Sequence, residues 1–568
     1  MPELTTFSEL PYVRPDLTRL ESDYTRIING LQDAATAADT LALVHQWNTL
    51  RSDIGTMHSL AEVHYTQNVA DEHAKEEKNF YDAHMPTVIE WNTDVAKKVL
   101  SSPHRAAIAD ACGTLFLDRL EQSDKTFAPE MKEMLIRESD LMNRYNEITA
   151  SAQIEIDGVT YNLSSIGTLQ INPDRSIRER AVVAQYAFLQ EHSAELDDIF
   201  DKLVHLRDEK AKLLGFPSYT EFRYIEFGRI DYTSDDVEKF RAQVREHVVP
   251  LATVFRTAQA KRLGLDSIHL YDEKLHFADG NPIAEGDHDW IVERAQRMYA
   301  DLSPETHEFF DLMQKHELMD LKTRDNKATG GYCTSFPTFG VPFIFANFNK
   351  TTHDVEVLTH EAGHAFQAYR SRIYSIPEYR WPTAEACEIH SMGMEFLTWP
   401  WMDLFFGSQT DKFRFYHLQG ALVFLPYGCA VDEFQHWVYA NVDATPAERN
   451  AKWKELESIY MPWRDLSDVP YANQGTQWQF QRHIYESPFY YIDYALAQTC
   501  ALQFWKRSQE DRQLALKDYL KICDVGGSQA FLDIVKTGNL KSPFDEGTLK
   551  EIVDSSYNWL KRHYGHYL

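Results

Sequence analysis

From about residue 15 to residue 150, apolar positions recur at three- and four-residue spacing among charged ones, with few glycines, and the pattern predicts a run of helices. The period shortens at Ser151 to Ile166, where Ile154, Ile156, Val159, Tyr161 and Leu163 flank Asp157-Gly158, a hairpin turn signal. Helical spacing returns from Pro173 to Leu214. Gly215-Phe216-Pro217-Ser218-Tyr219 then ends one helix and starts another, Ser234-Asp235-Asp236 caps a further one, and Asp279 to Asp289 reads as polar loop. A second extended island follows: Gly330 to Phe336 and Pro342 to Phe348 read as two strands across a Pro/Gly turn, rich in aromatic and β-branched residues. Such strands can offer an edge to an extended peptide, or can be a small structural sheet packed on helices.

Two helices follow at once. Val355, Leu358, Ala362, Ala365, Phe366 and Tyr369 predict a well-buried one. Ala384, Cys387, Met392, Met394 and Phe396 predict the next, with Thr383 as its N-cap and Glu385 in its first turn. From Thr410 the chain is again mainly helical, interrupted by the loop Asp465 to Gln477 and by Gly526-Gly527-Ser528. There is no internal repeat and no low-complexity segment.

Length and composition narrow the classes. A chain of 568 residues exceeds a single simple core. With 43% hydrophobic and 25% charged residues it reads as a soluble globular protein. A net charge of −29 should repel nucleic acid and anionic membrane, so neither is expected as a partner. The six cysteines are scattered without a CxxC pair, against a disulfide scaffold. The segment Met1 to Phe7 lacks the basic and apolar regions of a secretory leader. No apolar run approaches the ~20 residues of a membrane span, and the best, Ala421 to Leu425, is interrupted by Pro426. These features together give a cytoplasmic expectation.

The chemistry concentrates in the two adjacent helices. His360-Glu361-Ala362-Gly363-His364 is an HExxH, and on a helix its histidines fall on one face, one turn apart, where both can reach a Zn²⁺ ion. Glu361 points beside that row, where a general base for a zinc-bound water belongs. Glu388 on the second helix would complete a His₂Glu set with one position open, and Glu385, Ser391, Met392 and Glu395 share its face. Polar residues that match the motif by chance on an amphipathic helix are the alternative. Burying two histidines and a glutamate without a shared partner would be costly, which favours the metal. A third constellation, His483 to Tyr494, places one histidine and four tyrosines together. Their donors suit an oxyanion, although tyrosines near proline more often serve packing.

These segments carry a resemblance. Ala211 to Phe216 with Tyr219, the pair from Gly331-Tyr332-Cys333-Thr334-Ser335 to Asn347-Phe348-Asn349, the HExxH, Glu388 with Glu395, His483 to Tyr494 and Gly526-Gly527-Ser528 resemble the thimet-oligopeptidase-like zinc metallopeptidases, in their oligoendopeptidase F and Pz-peptidase branch. The resemblance implies a mainly α, two-lobed ellipsoid with a deep central channel and small β elements. It implies an N-terminal helical region over 1–170 and a catalytic region over 171–568, their lobes interleaved around one channel. It implies a zinc endopeptidase cutting oligopeptides inside the cell, with one Zn²⁺ per chain. His360, His364 and Glu388 match the metal ligands, Glu361 the base and His483 a substrate-contacting histidine. Tyr491 and Tyr494 are the candidate oxyanion donors, with Tyr490 as competitor. Gly330, Gly331, Tyr332 and Tyr490 are the candidate substrate contacts. Glu395 either orients a zinc-binding histidine or is structural, and His390 receives no role. The rivals are a dipeptidyl carboxypeptidase or metallocarboxypeptidase, which needs a cationic group for the substrate's terminal carboxylate, and a non-catalytic zinc-containing peptide-binding protein.

Overall fold

Side-chain caps start the first helices where the pattern places them. Asp16 accepts the amides of Thr18 and Arg19 ahead of α1 (Leu17–Asp33). Thr36 accepts that of Asp39 ahead of α2 (Ala37–Gln67), and Asp71 those of His73 and Ala74 ahead of α3 (Glu72–Leu100). Each such cap is worth about 1 kcal/mol. The structure, a computed structural model, describes residues 4–568; Met1, Pro2 and Glu3, on which part of the leader expectation falls, lie outside the described residues.

The three helices build a core of their own from Leu20, Tyr24, Ile27, Leu31, Val44, Trp47, Ile54 and their neighbours, joined by Ile376 and Tyr379. Inside it Trp47 Nε1 and Tyr24 Oη both donate to Asn92 Oδ1, at 2.8 and 3.0 Å, which satisfies two buried polar groups with one acceptor. A far larger core holds most of the rest, beside a small third cluster of Ile154, Ile156, Ile166 and Ala181, and also takes Phe7, Leu10, Leu60, Val63, Met131, Tyr145 and Ile148. Thus α2 belongs to both cores: Val44, Trp47 and Ile54 face one, Leu60 and Val63 the other.

The small β elements are two. Ile154–Ile156 (β1) and Val159–Tyr161 (β2) pair antiparallel across Asp157 and Gly158, whose φ of 53° and 78° are the left-handed pair a two-residue hairpin needs. Met319–Lys322 (β3), Tyr332–Phe336 (β4) and Val341–Phe348 (β5) form a sheet in the order β3-β5-β4. The β4–β5 hairpin is the expected one, with Tyr332 opposite Phe345 and Phe336 opposite Val341. Strand β3, parallel to β5 with Met319 opposite Ile344, was not legible, because four residues give too little alternation to read.

Behind the sheet lie α4 (His353–Ser371), α5 (Ala384–Leu397), α6 (Thr410–Ala440), α7 (Tyr491–Glu510) and α8 (Arg512–Val525). Helix α4 packs on β5 and α5, and α5 on α7. Gly363 makes the α4–α5 contact possible: a Cβ there would stand 2.4 Å from His390 O and 2.7 Å from Ser391 Cα. Thr383 takes the N-cap position of α5 as expected, but its hydroxyl makes no cap bond. Helix α6 runs through Pro426, at the loss of one backbone bond. No helix among the described residues is long and apolar enough to cross a membrane.

Candidate active site

His360 and His364 stand one turn apart on α4, their ring centroids 5.1 Å apart and their planes at 83°. Buried Glu388 reaches them from α5, with Oε2 3.3 Å from His360 Nε2 and 3.4 Å from His364 Nε2. The three donor atoms lie within 4.8 Å of one another. Their spacing and chemistry fit neighbouring ligands of one tetrahedral zinc ion at ~2.0–2.1 Å from each donor. Burial alone would raise the Glu388 carboxyl, but His364 and His360 outweigh it and hold it well below the usual carboxylate range. Burial would lower the His360 imidazole, but Glu388 and Glu395 outweigh it and raise it well above its ordinary value, and carboxylates that favour positive charge there also favour a divalent cation in its place.

The ligands are themselves oriented. His360 Nδ1 bonds Glu395 Oε1 at 2.7 Å, which leaves Nε2 turned to Glu388. Glu395 Oε2 bonds His417 Nε2 at 2.7 Å, and His417 Nδ1 accepts from Trp399 Nε1 at 3.0 Å. This chain of α5, α6 and the turn between them fixes which imidazole nitrogen of His360 is free for a metal. Burial would raise Glu395, yet the hydrogen bonds from His360 and His417 hold its pKa at about 2. Glu388 is held too: Oε1 accepts from Tyr490 Oη at 2.9 Å and Oε2 from Ser391 Oγ at 2.8 Å.

Glu361, His360 and Glu395 open into a cavity of about 780 Å³. Glu361 Oε2 is buried without a hydrogen-bond partner, and burial pushes this carboxyl up from its ordinary range. Both suit a base that awaits a proton. Gly331 borders the same space, and an added Cβ would lie 3.5 Å from Glu361 Oε1. Strand β4, which begins at Tyr332, is an edge strand.

Across the cavity stand His483, Tyr491 and Tyr494. Tyr427 Oη donates to Gln481 Oε1 at 2.9 Å, so the Gln481 amide N–H faces His483 Nδ1 at 2.8 Å. Burial, helped by Arg482, lowers the His483 pKa to about 4, so the ring is neutral at pH 7. With Nδ1 accepting, its proton sits on Nε2, which lies 3.4 Å from Tyr494 Oη. The Tyr491 ring meets that of His483 at 5.1 Å.

The expected residues therefore gather, with some divided by role. Tyr490 bonds a candidate metal ligand instead of facing the open cavity. Tyr332 turns its hydroxyl to Thr66 at 2.6 Å and stacks on Phe345, so its side chain is directed away from the cavity and only its backbone remains for a peptide. Gly330 binds Asn347 through its carbonyl oxygen, at 2.9 Å. Glu385 leaves the metal face for the interior, beside Arg229 and Asp493. His390 is buried against Tyr519, away from the ligand set. His417, Trp399, Gln481 and Tyr427 were missed. His417, Trp399 and Tyr427 each have a partner far along the chain, and Gln481, two residues from His483, takes its direction from Tyr427.

Comparisons with known proteins show the family. Residues 168–554 match peptidase family M3, and residues 7–127 match the peptidase M3 N-terminal domain. Among solved structures, a Pz peptidase A with an inhibitor is 45% identical, with a TM-score of 0.96 over 98% of this chain and 99% of that one. A structure described as an oligoendopeptidase F is 46% identical, with a TM-score of 0.96 over 98% and 99%. Another so described, from Bacillus anthracis str. Ames, is 42% identical, with a TM-score of 0.92 over 99% of each chain. No curated protein sequence matches the chain.

Proposed function

Since the chain belongs to peptidase family M3, in the oligoendopeptidase F and Pz-peptidase branch, we propose that it is a zinc-dependent endopeptidase cutting internal bonds of short, unstructured oligopeptides. The observation that carries this reading is the convergence of His360, His364 and Glu388 within 4.8 Å, beside an unpartnered Glu361. These three side chains would hold one zinc. When bound, zinc supplies a Lewis acid and lowers the pKa of water.

The remaining steps belong to the chain's own residues. Glu361 takes the proton of the attacking water on its free Oε2 and hands it to the leaving amine. His483, through its Nε2 proton, and the hydroxyls of Tyr491 and Tyr494 donate to the oxygen of the scissile carbonyl as charge develops there. Tyr490 holds Glu388 in place, and Glu395 holds His360. The edge from Gly330 to Phe336 receives the peptide backbone as an added strand, which makes recognition tolerant of side-chain identity. The division into 1–170 and 171–568, interleaved around one channel, is part of the same proposal.

A chelator should abolish cleavage of a quenched-fluorescent peptide, and Zn²⁺ should restore it. Glu361→Gln should keep one zinc per chain, measured by elemental analysis, and lose kcat far more than affinity. Near-normal turnover in that variant would sink the mechanism. His360→Ala, His364→Ala and Glu388→Ala should each lose the metal, and stoichiometric zinc in Glu388→Ala would show that the third ligand is another residue.

A further inference from the structure

Arg256 lines the same cavity, on the helix Val249–Leu263, with only 8% of its surface exposed. Its Nη1 donates to Gln259 Oε1 at 2.7 Å and to Glu273 O at 2.8 Å, and its Nε is buried without a partner. No carboxylate pairs with it among the described residues. The nearby carboxylate, Glu273, is engaged by Arg464, at 2.8 and 2.7 Å from Nε and Nη2. A buried guanidinium left without a counter-charge is costly unless an anion completes it.

The surroundings are built for such an anion. Arg464 and His276 line the cavity beside Arg256. Tyr416, also lining it, meets His276 edge-on at 4.7 Å. Arg262, on the same helix, donates from Nε and Nη1 to the carbonyls of His276 and Tyr567. Arg256, Arg464 and Tyr416, from three segments distant in sequence, thus bring positive charge and a hydroxyl to the cavity, beside a His276 imidazole that burial and Arg256 keep neutral, in a chain whose net charge is −29. Glu356 also lines this cavity, as do Glu361 and Glu395 of the candidate active site.

Helix α6 connects this end to the reacting end. Tyr416 precedes His417, which holds Glu395, and two turns further on Phe424 meets Tyr491 at 5.8 Å and Tyr494 at 6.5 Å. Two turns and a fraction separate Tyr416 from Phe424 by roughly 12 Å along the axis, the length of about three to four extended residues. We infer that Arg256, with Tyr416, is an anchor for a carboxylate of the peptide, either its C-terminus or an acidic side chain, that places the cleaved bond about three to four residues away. This rests on the peptidase reading above and adds what fixes the position of the cut. It also explains how an internal bond can be chosen by a site tolerant of side chains.

The test uses matched peptides that differ only in the carboxylate: free acid against amide at the C-terminus, and Glu against Gln at the third or fourth residue from the cut. The full-length holoenzyme should prefer one of the acids by roughly 10- to 100-fold in kcat/KM, the worth of a charge-assisted bond. In Arg256→Met that preference should fall to about twofold or less. Which pair responds identifies the source of the carboxylate. Lack of preference in both pairs, or a preference that persists in Arg256→Met, overturns the inference. If Arg256→Met does not fold, Arg256→Lys replaces it; the lost fork should cut the preference several-fold, and an undiminished preference is again negative. Affinities of the same pairs for Glu361→Gln give the ratio without turnover. Failure to cleave any peptide therefore counts against the proposed function, while the anchor is judged by binding.

Discussion

One proton decides what His483 can do. It sits on Nε2 only because Gln481 offers an N–H to Nδ1, and Tyr427 sets that amide's direction. Gln481→Glu would put an acceptor at the same place, draw the proton to Nδ1 and turn Nε2 into an acceptor. The expected outcome is a kcat lowered roughly ten- to a thousandfold, with zinc content unchanged; a kcat within twofold of the parent would leave His483 without a donor role. At this scale the sequence was informative wherever one helix carried the whole pattern. His360, Glu361 and His364 are fixed by helical spacing, and Glu388 with Glu395 by the face they share. It was uninformative wherever partners come from distant segments, as His417 does for Glu395 and Tyr427 for Gln481. It also could not sort the tyrosines. Phe489, at φ 65°, turns the chain just before α7, so Tyr490 is aimed at Glu388 while Tyr491 and Tyr494 face the cavity.

Between elements, the segment bearing His483 is tied down from below. Arg207, on the helix Ser193–Leu213, is fully buried and reaches Tyr485 O, next to the catalytic candidates. Its Nε also bonds Glu138 Oε1 at 2.6 Å, and Lys210 pairs with the other oxygen of the same carboxylate. Burial would raise the Glu138 carboxyl, but the two cations hold it at about 2, against an ordinary 4.5. A carboxylate depressed on folding contributes stability that is present above its unfolded pKa and is lost as pH falls through the folded one. Glu138→Gln, which strands two buried cations, should cost about 3–5 kcal/mol at neutral pH. That deficit against the parent should shrink as pH falls from about 4.5 toward 2, followed by denaturant unfolding at fixed pH; a deficit constant across that window would mean that the carboxyl is not ionised in the fold. Periodicity gave these helices, the DG hairpin and the β4–β5 pair. It missed β3, whose place depends on a parallel partner.

For the molecule as a whole, a cavity of about 780 Å³, bordered by Gly331 just before an edge strand, has room for one extended chain and not for a folded domain. A peptide of about a dozen residues, ~40 Å when extended, should give fragments from both ends by mass spectrometry. A native globular protein should survive the same time course. Strictly stepwise release from one terminus would favour the exopeptidase, and rapid digestion of the folded protein would mean an open site. The mainly helical class was legible because period is a local property; the cavity was not, because its walls are drawn from segments as far apart as Arg256, Gly331 and Tyr494. The shared helix α2 carries a consequence for cooperativity. Since Leu60 and Val63 lie in one core and Trp47 in the other, neither core can melt while the other keeps α2 whole. Calorimetry should show one transition for the full chain. A fragment begun at residue 171 should lack a fixed tertiary structure, since the larger core also loses Phe7, Met131, Tyr145 and Ile148. What the sequence divides in two, heat should treat as one.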